Sequence, residues 1–176
     1  MAVYPVRYRL PTKYSTDIGR IITRWAFLGW RLRDTAYTLL DISQPAGRLF
    51  VIEPRANEYL TRILDLMNLN KMKTGVDTVR LKKNLKELLE HRNNFAHGIW
   101  LKHTETNLPT LQIVKGEFPP LPGHKKVKAK IEPVSMAVPH QVLKNILKGI
   151  EWSTAQINRL RREIKEQLPP LQDKSS

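Results

Sequence analysis

Apolar residues recur every three or four positions over most of the sequence, and this spacing constrains the fold more than any other feature. In the first stretch, about 15–42, it predicts a long helix that Ser15 or Thr16 would cap. A second helical region follows at about 48–69, bent or restarted at Pro54. A helix that is apolar along one side has to bury that side against another element, so the pattern predicts a helical domain.

Two more helices complete the pattern. A third is predicted to begin at Asp77 or Thr78 and to run to His97. Gly98 would end it, because glycine is the residue type that most easily adopts the left-handed conformation at a helix C-terminus. The fourth spans about 143–168, after two prolines have closed the preceding segment.

Between residues 99 and 134 the apolar period changes from that of a helix to that of a strand. Residues 99–103 (IWLKH) and 110–115 (TLQIVK) predict a hairpin, and 126–132 (KVKAKIE) predicts a further strand with one basic face. The expected fold is therefore all-α: a four-helix up-and-down bundle with a small β hairpin or meander inserted between the third and fourth long helices.

The chain has 176 residues, of which 41% are hydrophobic. That is enough for one domain with its own core and too short to favour two. We expect residues 1–14 to form an extended N-terminal arm, residues 15–168 to form the single helical domain with its β insertion, and residues 169–176 to form a disordered tail.

Charge indicates the class of partner. Thirty Lys and Arg against sixteen Asp and Glu give a formal net charge of +14, and a field of that size favours polyanions such as nucleic acid. There is no cysteine, so disulfides, thiolate metal sites and a cysteine nucleophile are excluded. No stretch has the length and apolarity of a membrane span or a signal peptide, so we expect a cytoplasmic protein with no membrane partner.

One residue of the third helix interrupts its apolar stripe. The stripe is predicted to consist of Leu81, Leu85, Leu88, Leu89, Phe95 and Ala96. Arg92 lies on the same line, one turn after Leu88. Burying an unpaired guanidinium costs on the order of several kcal/mol, so Arg92 has to meet a carboxylate, an open cleft or a phosphate. Asn93 and His97 are four positions apart and are neighbours on one flank of this face.

Two interpretations of this cluster stay open from the residues alone. In the structural interpretation, Arg92 pairs with an acid of another helix, for example Asp34 or Asp41, and His97 complements the negative end of the helix dipole. In the functional interpretation, the arginine, the amide and the histidine at a helix end form a site for an anionic substrate.

The run RNNFAH at residues 92–97 resembles the signature of the HEPN superfamily (higher eukaryote and prokaryote nucleotide-binding domains): an arginine, a polar residue, further residues and a histidine, often followed by glycine. The resemblance covers residues 88–100 in motif and about 16–168 in architecture. That family is a helical bundle with the motif at the end of its third helix, and some members carry a hairpin before a long final helix. The resemblance implies a metal-independent endoribonuclease that acts on RNA as a homodimer, with two motifs in one cleft.

The resemblance also implies a division of roles among three catalytic residues. His97 would transfer the proton while a ribose 2′-hydroxyl attacks the adjacent phosphorus. Arg92 would hold the phosphoryl oxygens by two parallel hydrogen bonds, and Asn93 would orient the histidine or the phosphate. No cofactor or metal is expected. Proteins of this kind are often toxins or defence effectors that an inhibitory antitoxin partner holds silent.

The predicted third strand and the residue before it carry four lysines, Lys125, Lys126, Lys128 and Lys130. They are candidates for binding an RNA backbone, although lysines on an edge strand also deter aggregation. His91, His97 and His103 recur every six residues, a spacing that scatters them around a helix, so a metal site is not expected. The competing function is a non-catalytic basic helical bundle that binds RNA or a protein partner.

Overall fold

The computed structural model describes residues 9–41, 56–102, 108–115 and 132–168. In this part of the chain, four helices and one three-stranded antiparallel sheet confirm a mostly helical protein with a small β insertion before the last helix. The elements are α1 (Thr12–Leu40), α2 (Ala56–Leu69), α3 (Thr78–His97), β1 (Ile99–Lys102), β2 (Pro109–Lys115), β3 (Glu132–Ala137) and α4 (His140–Gln167).

The chain forms two compact units. The first comprises Met1–Ile22 and Glu90–Leu147, and the second comprises Thr23–Leu89 and Lys148–Ser176. Parts of α1, α3 and α4 therefore belong to each unit. A single domain over 15–168 stays a prediction.

The core of the second unit is built from the apolar stripes of its helices. Its most completely buried side chains are Leu28, Leu32, Leu60, Ile63, Leu81, Leu85, Ile150, Ile157 and Leu160. One buried polar contact lies among them: Asn84 Nδ2 donates to Ser153 Oγ at 2.7 Å and to the Gly149 carbonyl at 3.2 Å. The contact ties α3 to α4 within this unit and satisfies a hydroxyl whose residue has no exposed surface.

The first helix begins earlier than predicted, at Thr12 instead of Ser15 or Thr16. The carbonyl of Pro11 accepts the backbone N–H of Tyr14 at 2.8 Å, and Ser15 Oγ donates to the Thr12 carbonyl at 3.0 Å instead of capping the helix. Tyr14 is 3% exposed, so burial of this ring accompanies the extra turn. The predicted arm is thus shorter than 1–14, and its first eight residues lie outside the described part of the chain.

The other helix boundaries follow local capping signals. Asp77 Oδ1 accepts the backbone N–H of Arg80 at 2.9 Å, which confirms the predicted start of α3. The last helix begins at His140, directly after Pro139. The second helix begins at Ala56, and the predicted restart at Pro54 lies outside the described residues, as does the predicted tail at 169–176.

The sheet has the order β1-β2-β3. The predicted hairpin is confirmed, with Trp100 paired to Leu111 across β1 and β2. The third strand of the described sheet lies at Glu132–Ala137. The strand predicted at 126–132 lies outside the described residues except for its last residue, so it stays a prediction. Pro133 pairs with Val114 in this strand, which is an edge of the described sheet, where a missing backbone donor is tolerated. Residues 116–131 lie beyond the described residues.

Gly98 follows α3 for a different reason from the one predicted. Its backbone is outside the left-handed region, and a Cβ at this position would lie 2.5 Å from Leu111 Cδ1 and 2.6 Å from the Asn94 carbonyl oxygen. The backbone N–H of Gly98 donates to that same carbonyl at 2.8 Å. Close approach of the chain to β2 therefore requires glycine here, and this approach fixes where α3 ends.

We expect Gly98→Ala to destabilise the protein by about 2 kcal/mol, because the added methyl overlaps a buried leucine and a backbone carbonyl. The control is Gly29→Ala in α1, where a Cβ meets nothing within 4 Å; that change should be neutral or stabilising by up to about 1 kcal/mol. Chemical denaturation of the two variants measures the difference. Equal stabilities would contradict the role of the close approach.

A carboxylate of α4 holds the connection between α2 and α3. Glu163 Oε2 accepts from Thr74 Oγ1 at 2.6 Å and from the Gly75 N–H at 3.0 Å, while Oε1 accepts from Arg159 Nε at 2.8 Å. The hydrogen bond from Thr74, followed by those from Arg159 and Gly75, lowers the pKa of Glu163 despite partial burial, which acts in the opposite direction. The start of α3 is thereby anchored within the second unit.

Glu163→Gln should destabilise the protein by about 1 kcal/mol at neutral pH, since charge-assisted hydrogen bonds are replaced by neutral ones. A carboxylate whose folded pKa is lowered contributes stability above its ordinary pKa of 4.5 and loses it as the pH falls through the folded pKa. The difference between wild type and variant should therefore shrink below about pH 4. Denaturation curves across this pH range measure the difference in the free energy of unfolding. Glu166→Gln is the control, because that carboxylate is 67% exposed and 4.0 Å from Arg162. A difference between wild type and Glu163→Gln that does not change with pH would contradict a lowered pKa of Glu163.

Candidate functional site

Arg92 lies on the buried stripe of α3. The stripe residues before and after it, Leu88 and Phe95, are each 4% exposed, and Arg92 between them is half-buried. Its Nε atom is buried and has no hydrogen-bond partner among the residues that the structure describes. A donor withdrawn from water without a partner costs about 1–3 kcal/mol, so the position is unfavourable for the protein alone.

The guanidinium of Arg92 has no acidic partner within the described residues. It makes one hydrogen bond there, from Nη1 to Asn93 Oδ1 at 3.1 Å. Asp34, the first acid considered as a structural partner, pairs with Arg161 through Oδ2 and Nη2 at 2.8 Å. Asp41, the second, forms no ion pair within the described residues. The structural interpretation therefore lacks its counter-ion in the part of the chain that the structure describes.

Asn93 and His97 are both exposed, and they are four positions apart on one side of α3. Ala96 is exposed too, although it was predicted to be buried, so the stripe ends at Phe95. His97 is the last residue of the helix, and Gly98 closes the turn behind it. The imidazole is therefore accessible from solvent at an open helix end.

Arg92 and His97 project in different directions from α3, and no break in the helix turns one towards the other. The helix is continuous from Thr78 to His97, and residues five positions apart project about 140° from each other around an α-helix axis. Asn93 follows Arg92 directly, accepts its hydrogen bond and lies one turn before His97. The arrangement offers a cation, an amide and an imidazole on adjacent faces of one helix terminus.

Aromatic contacts fix the end of α3 against the sheet in the first unit. The Phe95 ring lies between His91, whose ring is stacked at 6.2 Å, and Trp100 of β1, whose ring is tilted at 5.7 Å. Phe95 is buried, whereas His91 and Trp100 are half-buried. With Gly98 against Leu111, these rings hold the last turn in place without using the motif's polar residues.

A further polar cluster in the first unit was not predicted from the sequence. His140 Nε2 and Asp17 Oδ2 are 2.8 Å apart, Arg20 Nη1 donates to Asp17 Oδ1 at 3.2 Å, and the Tyr14 ring lies 5.2 Å from that of His140. Asp17 is 7% exposed. These contacts attach the start of α4 to α1, and no local signal could reveal a pair separated by 123 residues.

Several predicted features fall elsewhere. Lys125, Lys126, Lys128 and Lys130 lie outside the described residues, and so does His103.

No group of three His, Cys, Asp or Glu side chains able to hold a metal ion is found among the residues that are described. In the same part of the chain, no helix combines the length and the apolarity needed to cross a bilayer.

Comparison with known proteins adds no relative. No family model matches the chain, and neither the curated proteins nor the solved structures contain a match to it. The resemblance of residues 92–97 to the HEPN motif rests on the identity and spacing of those residues alone.

Replacing Arg92 by methionine tests whether the arginine serves the fold. If it has no structural partner, Arg92→Met should stabilise the protein by about 1 kcal/mol, because an apolar chain of similar length fills the stripe and the unpartnered Nε disappears. Arg162→Met on α4 is the control, since that side chain is 71% exposed and its loss should change stability by less than about 0.5 kcal/mol. A loss of more than about 1 kcal/mol for Arg92→Met would show that the guanidinium stabilises the fold.

Proposed function

We propose that this chain is a metal-independent endoribonuclease of the HEPN type. One observation carries the proposal: Arg92 occupies an apolar stripe with no carboxylate partner among the described residues, while it contacts Asn93 one turn before the exposed His97. A phosphodiester supplies the negative charge that such a guanidinium needs. The net charge of +14 supports a polyanionic substrate.

The proposal includes the architecture of that family, a four-helix up-and-down bundle. Support comes from the order of the elements in the described residues, where three helices precede a small antiparallel sheet and one long helix follows it. The motif is at the end of α3, the third of these described helices, and the family it resembles also carries the motif at the end of its third helix. The packing of α1 to α4 into one bundle is part of the proposal.

The reaction is an intramolecular displacement on RNA. The 2′-oxygen of a ribose attacks the adjacent phosphorus, and the bond from phosphorus to the 5′-oxygen of the next nucleotide breaks. The products are a 2′,3′-cyclic phosphate and a 5′-hydroxyl. His97 accepts the proton of the 2′-hydroxyl, and a second proton donor protonates the leaving 5′-oxygen.

Arg92 and Asn93 act on the phosphate. As charge develops on the non-bridging oxygens, a guanidinium that donates two parallel hydrogen bonds stabilises it more than it stabilises the ground state. The Asn93 amide, which already accepts from Arg92 Nη1, holds the guanidinium in one orientation. Its remaining N–H donors serve the phosphate or His97.

A homodimer completes the site. Because Arg92 and His97 project about 140° apart on one continuous helix, each needs a group from elsewhere to form a compact centre. A twofold axis near the end of α3 brings the arginine of one copy towards the histidine of the other. The toxin or defence role and an inhibitory antitoxin partner follow from the family resemblance alone.

A ribonuclease assay in excess EDTA tests the proposal. Wild-type protein should cleave single-stranded RNA, and Arg92→Ala and His97→Ala should each slow cleavage at least about a hundredfold, since each removes a group that acts in the transition state. Matched controls are Val79→Ala on the same helix, where the side chain is 81% exposed, and Arg162→Ala on α4, which should cleave like wild type. Circular dichroism melts establish that all four variants fold.

Mixing the two inactive variants tests the composite site in the same assay. After exchange of subunits, about half of the dimers are mixed, and each mixed dimer holds one intact Arg92–His97 pair out of two. About a quarter of wild-type activity should return. Full cleavage by both single variants would overturn the nuclease and leave a basic binding protein, while no return on mixing would overturn the composite site.

A further inference from the structure

Three side chains of α1 in the second unit contact one another on the protein surface. The rings of Phe27 and Trp30 are 5.6 Å apart at an interplanar angle of 31°. The Arg31 guanidinium carbon lies 5.1 Å from the centre of the Phe27 ring and 4.9 Å from that of Trp30. We call this group the Phe27–Trp30–Arg31 surface.

The aromatic part of this surface is not used by the core. Phe27 is 46% exposed and Trp30 is half-buried, whereas Trp25 on the same helix is 8% exposed. An exposed phenylalanine beside a partly exposed tryptophan gives the fold little burial, and such apolar surface commonly marks a binding site. Their three-residue spacing places both rings on one side of α1.

The cationic part has no acidic partner within the described residues. Arg31 forms no ion pair and its guanidinium donates no hydrogen bond there, and its buried Nε has no partner. Other arginines of this unit are paired, Arg24 with Glu151 and Arg161 with Asp34. The rings of Phe27 and Trp30 hold Arg31 by cation–π contact, and no carboxylate among the described residues neutralises its charge.

We propose that the Phe27–Trp30–Arg31 surface binds single-stranded RNA. Bases stack on the exposed faces of Phe27 and Trp30, and Arg31 donates to a backbone phosphate beside them. This is the combination of aromatic rings and cations by which single-stranded nucleic acids are bound without sequence readout. The identity of the strand as RNA rests on the proposed function, and the surface supplies substrate binding that the motif residues do not.

RNA fits this surface better than a second copy of the chain does. In a twofold contact through α1, each Arg31 would be buried against another cation and two aromatic rings, with no carboxylate on the surface to neutralise it. A phosphate supplies the missing charge, and the chain's net charge of +14 attracts it. Duplex RNA should bind more weakly, because its bases are already stacked and cannot reach the rings.

Binding of a fluorescent 2′-O-methyl oligouridine of about twelve nucleotides, measured by anisotropy, tests the proposal. The 2′-O-methyl groups block cleavage, so the result does not depend on catalysis. Phe27→Ala should weaken binding about tenfold through lost stacking. Arg31→Gln should weaken binding and lower the slope of log affinity against log salt concentration by about one unit.

Two controls match these variants. Val79→Ala removes an apolar side chain that is 81% exposed on α3, and Arg162→Gln removes an exposed cation on α4. Both should bind within about twofold of wild type, since neither contacts the surface. Melting curves and mass measurements in solution accompany each variant, so that a change in fold or in oligomeric state is seen separately.

Affinity, mass and melting together distinguish RNA binding by this surface from the alternatives. Weaker binding by both surface variants, with unchanged mass and melting, supports the proposal. Wild-type affinity in both surface variants, absence of single-strand binding by the wild type, or a change of oligomeric mass in place of affinity would each overturn it. If the wild type binds the 2′-O-methyl oligouridine but does not cleave unmodified RNA, the nuclease proposal is contradicted and the proposed binding surface is not.

Discussion

Within the described residues, the guanidinium of Arg92 has no carboxylate to neutralise it. Leu88 and Phe95 precede and follow it on a buried stripe, and the described residues offer an amide to Nη1 and no partner to Nε. An arginine cannot lose its proton at physiological pH, so this charge needs a counter-ion from outside the described residues. Asn93 follows it directly, and the exposed His97 lies one helical turn beyond Asn93.

The rest of the fold holds this helix end in place. Phe95 packs between His91 and Trp100 while Gly98 lies against the sheet, so the last turn of α3 is fixed by apolar contacts that leave its polar residues available. The Phe27–Trp30–Arg31 surface shows the same physical trait, a guanidinium among rings without an acid. Two arginines without an acidic partner in the described part of a chain of net charge +14 are the basis for proposing one polyanionic ligand.

The sequence predicted those helix boundaries that depend on residues within one turn. The cap at Asp77 was predicted correctly, because a capping carboxylate acts within one turn. The end of α3 at His97 was predicted correctly for the wrong reason, because Gly98 is required by its close approach to a leucine of β2 and not by a left-handed backbone. The contact between His140 and Asp17, two distant segments, was not predicted. The start of α1 was missed because burial of a tyrosine outweighed the expected cap. The motif was predicted from residue types and spacing, whereas the exposure of its members required the folded chain.

The chemistry of the cut ends tests the central claim most directly. RNA incubated with the wild-type protein in EDTA should give fragments whose ends, by mass spectrometry, are 2′,3′-cyclic phosphates and 5′-hydroxyls, and a single 2′-deoxy nucleotide should abolish cleavage at its own 3′ side. Those ends require attack by the ribose hydroxyl, which is the reaction that an arginine, an amide and a histidine can promote without a metal. Fragments ending in 3′-hydroxyls and 5′-phosphates would contradict the account, because water would then be the nucleophile.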